Sequence, residues 1–155
     1  MKRTFALIAA LVLLVSLFSA CGKSEPKDID LDSLDAALAE KSPFLEALEP
    51  VDADIGCMIL TVDEADCEKA VMRFSSGATA EEYALVKAKD SAALGRIEKA
   101  LKEHIAFQKT SFAGYVPSEV PKIENAILRT SGDYIFYCVA DDAKAVQDII
   151  DLYLK

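Results

Sequence analysis

The feature that most constrains the fold of this chain is an internal repeat of two strand–strand–helix units between residues 70 and 155. In the first unit, residues 70–75 and 82–89 alternate apolar and polar side chains around a turn at 76–80, which predicts a β-hairpin. A helix follows, capped by Asp90 or Ser91, and its inward stripe is predicted at positions 94, 97, 101, 105, 108 and 112. The first unit is therefore interpreted as ββα.

The second unit has the same order of elements. Strands are predicted at residues 126–130 and 134–140, separated by a tight turn. A last amphipathic helix then starts at a cap provided by Asp141 or Asp142.

The two units also align in sequence. Residues 70–77 (AVMRFSSG) match residues 126–132 (AILRTSG) when a gap of one residue is allowed. Two such units bury their apolar sides by closing on each other as a pseudo-two-fold pair. The sequence thus predicts an α+β fold: two ββα units form a four-stranded, mostly antiparallel sheet with the two long helices on one face.

Helices are also predicted before the repeat. Leucines at positions 31, 34, 38, 45 and 48 follow a helical period, and Asp30 or Asp32 can cap the start. The pair Ser42–Pro43 is expected to divide this pattern into two pieces, because the residue before proline disfavours the helical conformation. Residues 54–60 fit either a short helix or a strand, and helix is favoured because Ile55, Met58 and Ile59 fall at helical spacing.

The first 21 residues have the composition of a bacterial lipoprotein export signal. Two basic residues precede an apolar run at 5–18, and Ser19 and Ala20 precede Cys21. The run is shorter than the roughly 20 residues that a spanning helix needs. By this resemblance, residues 1–20 are removed and the thiol of Cys21 carries a diacylglycerol. The alternatives are an ordinary signal peptide cut after Ala20 and an uncleaved anchor.

The remaining chain divides into two parts. Residues 21–29 are expected to be the lipidated cysteine and a flexible polar tether, and residues 30–155 a single α+β domain. The chain carries 26 acidic and 17 basic residues, for a net charge of −9. Such an acidic domain is a poor partner for nucleic acid, whose binding depends on Lys and Arg at the phosphates.

Chemistry-bearing residues are sparse. Cys57, Cys67 and Cys138 lack zinc-ligand spacing, so no metal or cofactor is expected. A Cys57–Cys67 disulfide is possible outside the cytoplasm, although burial as small apolar side chains is the favoured interpretation. The one histidine, His104, is predicted at the solvent edge of its helix, and acidic neighbours such as Glu81–Glu82 are interpreted as solvated. We therefore expect a protein that is not an enzyme.

A partner-binding surface is predicted on the sheet face opposite the long helices. Strand alternation places Arg73, Tyr83, Lys87 and, by the repeat, Arg129 on that face, which would be apolar, aromatic and basic. Two alternatives stay open: this face binds a partner, or the N-terminal helices cover it. Tyr115, in a proline-rich connection, is a second candidate anchor, or it covers the end of the sheet.

Three segments resemble a known family. Residues 74–90, 112–117 and 129–134 (RTSGDY) are similar to a domain-of-unknown-function family of small lipoproteins from clostridia-like Gram-positive bacteria. The resemblance covers most of residues 30–155. It implies a membrane-anchored surface protein, and because the family carries no established activity, it implies no site residues.

Taken together, the sequence predicts a lipid-anchored protein on the extracytoplasmic face of the cell membrane. It would act as a binding module whose partner is another envelope protein or a cell-wall component. The alternatives are an accessory or sensory lipoprotein that holds a small molecule and, less favoured, an enzyme of unrecognised type.

Overall fold

The computed structural model describes residues 28–155, which contain five α-helices and a five-stranded antiparallel sheet. The helices are α1 (Leu31–Lys41), α2 (Ala53–Leu60), α3 (Ser91–Tyr115), α4 (Val120–Glu124) and α5 (Ala143–Leu154). The strands are β1 (Glu49–Val51), β2 (Cys67–Phe74), β3 (Glu82–Ala88), β4 (Ile127–Ser131) and β5 (Tyr134–Val139). The predicted signal at 1–20, Cys21 and the tether up to residue 27 lie outside the described residues.

The sheet has the strand order β1-β2-β3-β5-β4, with β3 and β5 paired at its centre. Both predicted hairpins, β2–β3 and β4–β5, are confirmed, and so is the α+β class. The predicted strand faces are confirmed as well: Met72, Ala84 and Val86 lie on one side of the sheet, and Tyr83 and Leu85 on the other.

Strand β1 is a fifth strand, directly after the leucine pattern at 31–48, that the sequence analysis did not predict. The helix α1 does end at Ser42, which adopts a left-handed conformation with φ 46°. The second piece of the leucine pattern is not a helix, because it leads into the edge strand at Glu49–Val51. Pro50, which lacks an N–H group, fits an edge strand and would interrupt a helix interior.

The two long helices lie on opposite faces of the sheet, so the prediction that they share one face is wrong. Helix α3 packs with Ala84, Val86, Ile135 and Tyr137, whereas α5 packs with the alternate side chains Leu85, Phe136 and Cys138. The physical reason is that β3 and β5 are apolar at nearly every position and are buried on both sides. A sheet with two apolar faces needs a cover on each.

Each face therefore has its own core. On one face, α1 and α5 cover the sheet together with Ile29, and on the other, α2, α3 and α4 do so. Helix starts are fixed locally: Asp30, Asp90 and Asp142 each accept a backbone N–H of the first turn of α1, α3 and α5.

The part of the expected tether that the structure describes is packed against the domain. Ile29 is buried, and its N–H donates to the hydroxyl of Tyr134, which in turn donates to the carboxylate of Asp28 at 2.6 Å. Asp28 and Ile29 thus belong to the folded domain, although the sequence analysis began that domain at residue 30.

Candidate functional site

The sheet face predicted as a partner-binding surface is covered. Helices α1 and α5 lie over it, and Tyr83 at its centre is 1% exposed. The alternative in which N-terminal structure buries this face is therefore the one observed, with the C-terminal helix as a second cover. In this fold, a partner cannot reach the ring of Tyr83.

Asp35 on α1 explains why Arg73 and Tyr83 face inward. Its carboxylate accepts two bonds from Arg73, from Nε and Nη2 at 2.8 Å each, and a third from the Tyr83 hydroxyl at 2.6 Å. The Arg73 hydrogen bonds hold the pKa of Asp35 below its usual value, and burial together with Asp35 raises the pKa of Tyr83. This ion pair fastens α1 to the sheet.

The other three predicted surface residues are scattered. Lys87 pairs with Glu68 at 2.9 Å and lies over the ring of Tyr134, and Arg129 pairs with Asp151 of α5. Tyr115 is 72% exposed at the end of α3, where its ring edge meets Phe112, so it does not cover the sheet. The structure does not bring these residues into one surface.

A buried polar cluster joins α3 to the sheet, and the sequence analysis missed it. The carboxylate of Glu82 contacts His104 Nε2 at 2.7 Å, accepts the Tyr137 hydroxyl at 2.6 Å and accepts Gln108 Nε2 at 2.8 Å. His104 is not at the solvent edge as predicted. Gln108 sits one turn after it on the same helix stripe, a spacing that could have indicated a polar pair facing the sheet.

The Glu82–His104 pair has the composition of an acid–base pair, but its setting is that of a structural link. Both side chains are only 6% exposed, which leaves little room for a substrate to contact them. Burial and the neighbouring carboxylate raise the pKa of Tyr137 well above its usual value, which keeps its hydroxyl protonated as a donor. The cluster therefore satisfies polar groups between helix and sheet.

A second buried cluster surrounds Lys122 of α4. Glu81, which is fully buried, accepts the backbone N–H groups of Leu45 and Asp141, and Glu119 accepts that of Ala80. Lys122 Nζ lies 2.9 Å from Glu119 and 3.7 Å from Glu81, so one cation serves both carboxylates. The interpretation of Glu81–Glu82 as solvated acids is therefore wrong.

The outer face of α2 is the clearest unpartnered apolar surface in residues 28–155. Ile55, Met58 and Ile59 fall on one side of the helix and are 43%, 73% and 42% exposed. Gly56 and Cys57 face inward against β2, where a Cβ added to Gly56 would lie 2.3 Å from the Sδ atom of Met72. Helix α2 is therefore apolar on both sides: the inward side is buried against β2, and the outer side is exposed.

Two concavities lie near the start of β2. One, of about 400 Å³, is bordered by Asp28, Lys69, Lys87 and Tyr134. The other, of about 470 Å³, is bordered by Ala53, Glu64, Cys67 and Lys89. Both are open to solvent. The first is lined mainly by polar groups and includes one of the predicted site residues, Lys87, whereas the lining of the second is about half apolar.

Cys57, Cys67 and Cys138 are free thiols. Cys138 is buried on the face covered by α1 and α5, whereas Cys57 and Cys67 both lie toward the face covered by α2 and α3. Within residues 28–155, no group of three or more His, Cys, Asp or Glu side chains is placed to hold a metal ion. In the same residues, no helix is long and apolar enough to cross a membrane.

The fold and its surface define a class of protein: an acidic α+β domain whose five-stranded antiparallel sheet is sandwiched between helical layers. The chain belongs to the family described as Domain of unknown function (DUF4358), whose sequence profile matches residues 45–140. That match runs from just before β1 to the end of β5 and confirms the resemblance to a family of unknown function. Neither a curated protein nor a solved structure matches the chain.

Proposed function

We propose that this protein is a lipid-anchored, extracytoplasmic binding module of the cell envelope. The observation that carries the proposal is the export signal ending at Cys21, which stands seven residues before the first described residue, Asp28. Seven extended residues span at most about 25 Å, so a lipid on Cys21 would hold the domain close to the bilayer. The likeness to small lipoproteins of clostridia-like Gram-positive bacteria supports the same assignment.

The binding surface proposed here is the α2 face, defined as Ile55, Met58 and Ile59. Three large apolar side chains exposed together on one short helix favour an interaction site, because soluble surfaces seldom keep such groups unpartnered. Acidic residues surround this face: Asp52 and Asp54 at the start of α2 and Asp63 and Glu64 after its end are all exposed.

This pattern favours a protein partner with an apolar patch and a basic rim. An apolar centre inside a charged rim is the usual anatomy of a protein–protein interface. The acidic rim would be repelled by an anionic lipid surface, and cell-wall glycans offer few apolar groups to match Met58. Among the partners expected from the sequence, another envelope protein therefore fits better than a wall polymer.

Site-specific photo-crosslinking in cells tests this proposal. A photoreactive amino acid is placed at residue 58 of the full chain, and captured species are identified by mass spectrometry. The matched control is residue 107, since Phe107 is similarly exposed at 68% but lies on α3. We expect one dominant envelope protein to be captured from position 58 and not from position 107.

A variant pair then tests the chemistry of the face. For this test the photoreactive amino acid is placed at position 55. Met58→Glu should then abolish capture of the partner, whereas Phe107→Glu should leave the capture unchanged. Both side chains are exposed, so neither change should lower stability by more than about 0.5 kcal/mol. Capture of lipid alone, or equal capture from positions 58 and 107, would refute a protein-binding α2 face.

The 400 Å³ concavity supports a second candidate function, the holding of a small molecule. Lys69 and Lys87 border it, and its volume lies within the range of small-ligand sites. A panel of amino acids, sugars and nucleotides would be screened by thermal shift on the full chain. A shift with one class that Lys87→Met removes would favour this function over the first.

A further inference from the structure

Two of the three thiols in residues 28–155 lie in the same apolar cluster, where α2 meets the sheet. Cys57 is on the inward side of α2 and is 2% exposed, and Cys67 is the first residue of β2 and is half-buried. Each thiol is near enough to the other to shift its pKa, and Cys67 Sγ donates to the carbonyl oxygen of Asp63 at 3.9 Å.

We propose that Cys57 and Cys67 form a disulfide in the mature protein, which covalently joins α2 to β2. The proposal rests on the proposed function in one respect: export would bring the pair into an oxidising compartment. Cys138 does not take part, because it is buried in the core on the opposite face of the sheet.

The oxidant is a disulfide, either a small one such as oxidised glutathione or a thiol–disulfide exchange protein. Attack by one thiolate on its S–S bond gives a mixed disulfide and releases one thiol, and the second cysteine then displaces the other. The Cys57 and Cys67 thiols lose two protons and two electrons, and the oxidant gains both as two thiols. Cys67 borders the 470 Å³ concavity, from which such an oxidant can reach it.

The proposed disulfide is structural and does not undergo repeated reduction and oxidation. Burial raises the pKa of Cys57, and burial together with Cys57 raises the pKa of Cys67 to about 12, so little thiolate exists in the folded state near neutral pH. Exchange in the folded protein is therefore slow. The bond forms fastest while α2 is undocked, during folding, and is then protected from reductants.

The bond would matter most for the α2 face. Helix α2 has eight residues, too few to be stable without packing, and its exposed apolar side does not hold it to the domain. A link from Cys57 to Cys67 closes a ring of 11 residues and keeps Ile55, Met58 and Ile59 in a fixed position. The disulfide would thus preorganise the proposed binding surface.

The first experiment oxidises the purified full chain in detergent with oxidised and reduced glutathione at pH 8, both as the folded protein and during refolding from denaturant. Free thiols are then alkylated, and peptides are mapped without reductant. We expect the peptides containing Cys57 and Cys67 to be joined with a loss of two hydrogens, and Cys138 to be alkylated. Free or glutathione-capped Cys57 and Cys67 in both preparations would overturn the proposal.

Thermal unfolding gives a second readout. The oxidised chain is first unfolded in the presence of a reductant, so that the disulfide is reduced, and is then refolded. Its Tm should then be about 5–10 °C lower than that of the untreated oxidised chain, as expected for a short disulfide loop. Cys57→Ser/Cys67→Ser should show no reductant-dependent shift, whereas the matched control Cys138→Ala should keep it. A shift in the double variant equal to that of wild type would contradict the assignment.

A cellular arm separates this proposal from the proposed function. The chain is isolated from membranes after acid quenching and alkylation, and the peptide beginning at residue 21 is examined for lipid, with Cys21→Ala as the unlipidated control. Lipid on Cys21 with free Cys57 and Cys67 would overturn the disulfide and leave the anchor intact. The joined pair without lipid on Cys21 would support the disulfide and refute the anchor.

Discussion

Replacing Asp35 by Asn should destabilise the domain more than any exposed charge change on α1. The wild-type carboxylate accepts two bonds from Arg73 and one from Tyr83, and the Asp35 and Arg73 side chains are 15% and 23% exposed. Asn keeps the shape and one acceptor oxygen. Its amide NH₂ group, however, would face the Nη2 donor of Arg73, so that two donors meet and the cation loses its counter-charge.

The size of the effect follows from the burial of the pair. An exposed ion pair contributes about 0–1 kcal/mol, and removal of one partner of a fully buried pair costs about 3–5 kcal/mol. Asp35 and Arg73 lie between these limits, so we expect a loss of about 2–3 kcal/mol in the free energy of unfolding. For a domain of this size, that corresponds to a fall in Tm of about 6–10 °C.

Urea unfolding of the full chain at several pH values is the assay. The pKa of Asp35 is lowered in the folded state by Arg73, so its contribution is present above the unfolded pKa and is lost as the pH falls through the folded value. The difference between wild type and Asp35→Asn should therefore be full at pH 7 and should shrink below about pH 4.

Asp32→Asn is the matched control, because Asp32 lies on the same helix and pairs with Lys69 at 2.6 Å while 71% exposed. Its loss should be no more than about 0.5 kcal/mol. If Asp35→Asn and Asp32→Asn are equally stable at pH 7, the argument that Asp35 fastens α1 to the sheet is refuted.

Two further changes test the packing of the opposite face. Gly56→Ala places a Cβ 2.3 Å from the Sδ atom of Met72, so the free energy of unfolding in urea should fall by about 1–3 kcal/mol. Gly95 lies in α3, where an added Cβ meets nothing within 4 Å, so Gly95→Ala should raise the free energy of unfolding by about 0.5–1 kcal/mol. Equal effects at the two glycines would disprove close packing of α2 on β2. Glu82→Gln turns one acceptor oxygen into a donor, which then faces the Gln108 amide or the Tyr137 hydroxyl, both donors in the wild type, so the Tm should fall by about 6–10 °C. Glu103→Gln, whose side chain is 69% exposed, should leave the Tm within about 2 °C. An unchanged Tm for Glu82→Gln would show that the cluster contributes nothing to stability.

The elements that the sequence predicted correctly are those fixed by neighbours along the chain. Asp90 caps α3 because its carboxylate accepts the N–H of Ala93 three residues away, and Asp142 caps α5 in the same way. The hairpin β2–β3 likewise follows from two runs of strand-forming residues on either side of a short turn. These interactions need no knowledge of the rest of the fold.

The candidate site was harder to predict because its residues are brought together from distant segments. The sequence correctly indicated that apolar, aromatic and basic residues share one face of the sheet. It did not indicate that Asp35 of α1 would bind Arg73 and Tyr83 on that face. Burial of Glu81 depends on the N–H groups of Leu45 and Asp141, 36 and 60 residues away. No local pattern contains those partners.

The sequence by itself determined the α+β class, the strand pairs within each hairpin, the two sides of the strands and the starts of α1, α3 and α5, because each depends on contacts within a few residues. The tertiary structure alone decided that α3 and α5 take opposite faces and that residues 49–51 add an edge strand. It also decided that His104 meets Glu82 and that Ile55, Met58 and Ile59 stay exposed. The reason is that pairing of the central strands β3 and β5 leaves apolar faces and polar groups that still need partners. Segments far apart in the chain compete to supply those partners, and no local pattern shows which segment does so.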